Sequence, residues 1–133
     1  MKWYLFLFLV LVFGCSSIKR EYINQETFKL RITSTDSSYG YSPENSIKVG
    51  SSDGGPKNQR RFLNALLGPN SEPVQYHRLG SCCPVKSSKA IIGDHVLLDR
   101  YAVYWAGGSD TLHLYLNMYD EAVLQIPMGF KAK

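Results

Sequence analysis

The chain has 133 residues, with 15 Lys and Arg against 11 Asp and Glu and a formal net charge of +4. That length excludes a multidomain enzyme and a (β/α)8 barrel of about 250 residues. The 44% apolar and 13% aromatic content excludes a disordered chain, although part of the apolar excess sits in the first 13 residues. Taken in chain order, Met1-Lys2 supplies one positive charge, and Trp3 to Phe13 is an unbroken apolar run. A bilayer-spanning helix needs roughly 20 apolar residues, so this run has the proportions of a signal-peptide hydrophobic segment.

Val12-Phe13-Gly14-Cys15 follows, and then Ser16-Ser17. These residues resemble a bacterial lipoprotein signal, in which a small residue precedes a cysteine that is lipidated before cleavage. The match lies at Val12, Gly14 and Cys15; Phe13 is bulkier than that pattern usually carries. An ordinary secretory peptide would show a small-x-small cleavage pattern, which is absent. The resemblance implies lipidation at Cys15, and removing 14 of the 133 residues leaves a mature chain of 119. The charge falls to +3 with the loss of Lys2. Each acyl chain contributes about 0.8 kcal/mol per buried methylene, so two or three make a stable anchor. Residues 1–14 are then the signal peptide, 15–26 the lipidated N-terminus and polar tether, and 27–133 the folded domain. After Cys15 the chain lacks the aspartate that resembles an inner-membrane retention signal. It also lacks the acidic cluster that resembles a surface-export signal in Bacteroidota lipoproteins. The resemblance therefore implies the periplasmic face of the outer membrane, with no nucleic acid as partner.

In the body of the chain, Phe28, Leu30 and Ile32 alternate with Lys29, Arg31 and Thr33, which predicts a half-buried strand. Residues 34–45 collect Ser, Asp, Gly and Pro and read as a loop, and Ile47-Lys48-Val49 is a short strand candidate. Pro56 suits the first position of a helix. Phe62, Leu63, Leu66 and Leu67 fall on one side of it, Arg60, Arg61 and Asn64 on the other, and Gly68-Pro69 ends it. Val74 to Leu79 predicts a strand that stops at a Gly80–Pro84 turn. Tyr101 to Trp105 and Leu112 to Tyr119 predict two strands joined by Gly107-Gly108-Ser109-Asp110 as an antiparallel hairpin. The expected architecture is α+β: a small antiparallel sheet with one main helix packed on a face, in a single domain.

Few residues invite chemistry. Cys82 and Cys83 with His77 suggest a metal site or a reactive thiol, yet zinc usually takes cysteines two to four residues apart. In an oxidising compartment two free thiols would tend to pair, although a bond between neighbours forces a strained eight-membered ring; otherwise both are small buried hydrophobes at a turn. Gly50 and Gly55 have the spacing of a phosphate loop, but Pro56 stands where the lysine belongs and removes an N–H. The plainer reading is a helix start capped by Ser52 or Asp53. Lys57, Arg60 and Arg61 would form an anion-binding or solvated basic face, with Arg78 nearby. Tyr39, Tyr41, Tyr101, Tyr104, Trp105, Tyr115 and Tyr119 suggest a glycan or protein platform, or ordinary cross-strand pairs. Asp94-His95 and Asp99-Arg100 are adjacent polar pairs and no Ser/His/Asp order stands out. No cofactor motif is present, so none is expected.

The segments VGSSDGGPKNQRRFLNALLGPN (49–70), YHRLGSCCP (76–84) and LNMYD (116–120) resemble a group of short Bacteroidota lipoproteins. Relatives there sometimes carry the label 2-dehydro-3-deoxyphosphooctonate aldolase, an enzyme type that 119 residues are too short to build. The expected function is an outer-membrane-anchored, non-enzymatic binding or accessory module of a cell-envelope assembly, with an outer-membrane protein as partner. The alternatives are a small periplasmic thiol- or metal-dependent enzyme using Cys82, Cys83 and His77, and a glycan-binding module.

Overall fold

The computed structural model describes residues 18–133; the signal segment and Cys15 lie outside the described residues. In chain order the elements are β1 (Tyr22–Asn24), β2 (Thr27–Phe28), β3 (Ile47–Lys48), α1 (Gly55–Asn64), β4 (Leu66–Leu67), β5 (Val74–Lys86), β6 (His95–Trp105), β7 (Leu112–Asn117) and β8 (Lys131–Ala132). A single 3₁₀ turn, Pro43–Asn45, precedes β3. The domain is α+β, as its alternating strands and single amphipathic helix predict.

The main sheet has the order β3-β7-β6-β5. Strands β5, β6 and β7 are antiparallel, and the Gly107–Asp110 turn closes the β6–β7 hairpin. The edge strand β3 runs parallel to β7, so the sheet is mixed where an all-antiparallel one was expected. Ile47 pairs with Leu116 and both are fully buried, which places β3 by its one core side chain.

On the core face, Tyr101 and Val103 of β6 and Leu114 and Leu116 of β7 pack with Phe62 and Leu63 of α1. Burying such aliphatic and aromatic side chains contributes roughly 1.5–3 kcal/mol each. Two small antiparallel pairs close the flanks, β1 with β2 and β4 with β8.

Several sequence expectations are corrected. The helix ends at Asn64, and Leu66–Leu67 pairs with Lys131–Ala132, a partner too distant for helical spacing to anticipate. The alternation over 28–32 buries Phe28 and Leu30, but Ile32 is 52% exposed and only Thr27–Phe28 is strand. Gly80–Pro84 does not end β5. The strand continues to Lys86 through two irregularities, after Arg78 and after Cys82, because β6 supplies a partner along its whole length. Gly80 (φ +138°) and Cys83 (φ +56°) absorb them.

Candidate functional site

The end of the main sheet where β3, β5 and β7 finish carries a cleft of about 490 Å³. Its floor is set by Asp120. The buried Asn117 donates its Nδ2–H to Asp120 Oδ2 at 2.8 Å, and Ser87 donates its hydroxyl to Asp120 Oδ1 at 2.7 Å. Asn117 Oδ1 in turn accepts the Tyr119 and Asp120 backbone N–H groups. One carboxylate thus ties the loop after β7 to the β5–β6 hairpin. The opposite wall is the Gly50–Ser52 turn. Gly50 has φ +76°, a left-handed conformation that favours glycine, and a Cβ there would lie 3.3 Å from the Glu121 side chain.

Lys48, Lys86 and Lys89 line this cleft. None of the three pairs with a carboxylate among the described residues. With Asp120 held by Asn117 and Ser87, and Glu121 paired with Arg20, the lysines leave the cleft net positive. A second recess of about 480 Å³ shares Lys48, Lys86 and Asp120 and extends to Cys83 and Pro84.

The hairpin that forms the lysine wall ends in a loop over residues 87–94. Ser87 N–H donates to the Asp94 carbonyl at 2.9 Å, and the Ser87 hydroxyl accepts the Lys89 N–H at 3.0 Å. At its tip Ile91 and Ile92 are 93% and 88% exposed. Leaving two isoleucines in water forgoes roughly 1.5–3 kcal/mol each. The tip therefore sets a bare aliphatic pair two positions after the cleft's Lys89.

Of the residues singled out from sequence, Cys82 and Cys83 are joined to each other, and His77 stands apart from them. Cys82 and Cys83 form a vicinal disulfide within β5. His77 lies earlier on the same strand, opposite Ala102, with its ring 5.9 Å from that of Tyr104. Among the described residues no three His, Cys, Asp or Glu side chains cluster as a metal site, which corrects the Cys82, Cys83 and His77 grouping.

The basic helix face is corrected as well. Arg61 is 4% exposed. It donates Nε–H to the Gln25 carbonyl at 2.7 Å, Nη1–H to Asn58 Oδ1 at 3.0 Å and Nη2–H to Asp53 Oδ2 at 2.8 Å. Its guanidinium also stacks 5.2 Å from the Tyr22 ring centroid. Lys57 lies 4.0 Å from Asp53, and Arg60 alone of the three is left exposed on the helix. Neither Ser52 nor Asp53 caps the helix; the N-cap position is Gly54. The Asn58 Nδ2–H group reaches back to the carbonyls of Gly50 and Ser52 at 3.1 and 2.7 Å and fills the glycine loop. The Asp53 carboxylate beside it opposes any anion there.

The aromatic platform is likewise divided. Tyr39 and Tyr101 are buried, with hydroxyls bonded to the Gln125 N–H and to Gln59 Oε1. Tyr41 donates to the Met128 carbonyl, and burial pushes its hydroxyl up to about 12. Trp105 packs edge-on to Phe130 at 5.6 Å. Of the polar pairs, Asp94 meets His95 at the surface, whereas Asp99 is bound by Arg78 and not by Arg100.

Lys48, Lys86 and Lys89 were not legible as a site, because they come from separate segments with no fixed spacing. Ile91-Ile92 left a signal: an aliphatic pair inside a loop otherwise made of Ser, Lys, Ala, Gly and Asp. No protein-family model, curated protein or solved structure matches the chain.

Proposed function

We propose that the chain is a lipid-anchored, non-catalytic binding module of a cell-envelope assembly, held at the periplasmic face of the outer membrane through Cys15. It grips a protein partner with the β5–β6 hairpin. The observation that carries this reading is the exposure of Ile91 and Ile92, 93% and 88%, at the tip of that hairpin. Adjacent bare aliphatics are the kind of anchor that a partner's apolar pocket desolvates. The neighbouring Lys48, Lys86 and Lys89 would steer and orient an acidic rim on the partner.

The test is recovery of envelope proteins by the lipidated chain, compared with an Ile91→Ser/Ile92→Ser variant. The reading requires a partner that is lost with the double substitution and weakened by salt. Equal recovery by both chains contradicts it.

A second reading has one observation in its favour. Cys83 borders the recess that holds Lys86, where a cation would stabilise a thiolate once the disulfide is opened. The vicinal pair would then be a redox couple. A Cys82→Ser/Cys83→Ser variant that keeps full cellular phenotype removes that reading.

A further inference from the structure

At the end of the described chain nearest Cys15, a shallow groove of about 240 Å³ runs between the entering N-terminal segment, residues 29–32 and Val123-Leu124. Ile18, Ile32 and Val123 line it and are 37%, 52% and 54% exposed. Lys19, Lys29 and Arg31 surround them, all exposed. Arg31 is paired with Glu21, while Lys19 and Lys29 have no ion pair among the described residues. Aliphatics ringed by cations form a surface complementary to a bilayer with acidic headgroups: the apolar groups enter the interface and the cations meet phosphate.

The chain's path fixes which way this face looks. Arg20 holds the entering segment down, donating Nη1–H to the Ala122 carbonyl at 2.8 Å and Nη2–H to the Lys48 carbonyl at 3.2 Å. Its guanidinium also lies 3.5 Å from Glu121. Cys15 is only three positions before Ile18. Three residues reach at most about 11 Å, so a lipid at Cys15 brings this face to the headgroups.

We infer that the Ile18, Ile32 and Val123 face is a membrane seat, docking the domain flat on an acidic phospholipid surface in one orientation. The inference rests on the lipid-anchor reading. Lys48, whose carbonyl accepts from Arg20, pairs with Asn117, so the seat sits toward the Asn117 end of β7 and the Gly107–Asp110 turn, at the other end, points away from the bilayer.

The test uses the full lipidated chain in nanodiscs of phosphatidylcholine and phosphatidylglycerol doped with spin-labelled lipid. Amide signals of Ile18, residues 29–32 and Val123 should lose about half or more of their intensity. Those of Gly107 to Asp110 should not change. An Ile32→Asp/Val123→Asp variant, altered only at exposed positions, should recover the lost intensity while remaining in the disc and keeping its other chemical shifts. A disc-bound chain whose 29–32 signals match those of Gly107 to Asp110 overturns the seat and leaves the anchor standing. A chain that does not enter the discs overturns the anchor reading, and the seat falls with it. Equal broadening in phosphatidylcholine alone overturns the role given to Lys19, Lys29 and Arg31.

Discussion

Gln59 of α1 and Asp99 of β6 meet beneath the surface: Gln59 Nε2–H donates to Asp99 Oδ2 at 2.9 Å, with the two residues 1% and 5% exposed. Tyr101 donates its hydroxyl to Gln59 Oε1 at 3.0 Å, and Arg78 Nη2–H donates to Asp99 Oδ1 at 2.7 Å. The helix is thus fixed to the sheet by a buried polar contact, and at its last turn by the Tyr76 hydroxyl donating to Asn64 Oδ1 at 2.7 Å. Gln59→Leu would leave the Tyr101 hydroxyl and one Asp99 oxygen without partners. The expected loss is about 2–3 kcal/mol, read by denaturant unfolding. A variant within about 0.5 kcal/mol of the parent would contradict the assignment.

Arg60 and Arg61 are neighbours with opposite roles. Arg61→Met removes three hydrogen bonds and the stacking on Tyr22, and should cost about 2–3 kcal/mol. Arg60→Met, on the exposed side, should stay within about 0.5 kcal/mol. Thermal unfolding of the two variants measures both.

The acid limb of stability has named carriers. The Arg61 hydrogen bond and the charges of Lys57 and Arg61 hold Asp53 below the usual carboxylate range. Backbone and hydroxyl hydrogen bonds from Ser38 do the same for Asp36, and the Arg31 hydrogen bond does so for Glu21. A carboxyl depressed in the folded state contributes stability above its unfolded value and loses it as pH falls through the folded one. Melting temperature should therefore hold from neutrality to about pH 5 and drop below about pH 4. Asp36→Asn should make that drop shallower.

The alkaline limb has the opposite sign. Tyr41, pushed up to about 12 by burial, keeps its contribution below the ordinary tyrosine value and loses it as pH rises toward 12. Tyr41→Phe should flatten the decline above about pH 10, measured by the same melts.

The Cys82–Cys83 bond closes a ring across one peptide unit. A loop that short constrains the unfolded chain little, so reduction should cost only about 1 kcal/mol on the chain-entropy estimate. A mass increase on reduction with an unchanged circular dichroism spectrum is the expected result. Collapse of the fold on reduction would contradict it.

The parts of the fold visible in sequence were those that local rules decide. Pro56 opens the helix, the Gly107–Asp110 turn closes a hairpin, and the alternation over residues 112–117 gives a strand. What escaped depended on partners far along the chain. Arg61 is buried because the β1–β2 hairpin lays Tyr22, Gln25 and Phe28 over it, and no helical pattern carries that information. Leu66 and Leu67 fit the helix until Lys131–Ala132 offers a ladder. Gly80 and Pro84 read as terminators until the long β6 carries the pairing past them. The lysine cleft exists only once β3 and β5 finish at the same end of the sheet.

The central claim is that the β5–β6 tip meets a partner, and in-cell photocrosslinking from position 92 tests it most directly. A photoreactive residue replacing Ile92 in the full chain should yield one dominant envelope-protein adduct, lost when Ile91 becomes Ser. The same residue at Gly108 should not yield it. An adduct pattern identical at positions 92 and 108, or no adduct at 92, would contradict the account.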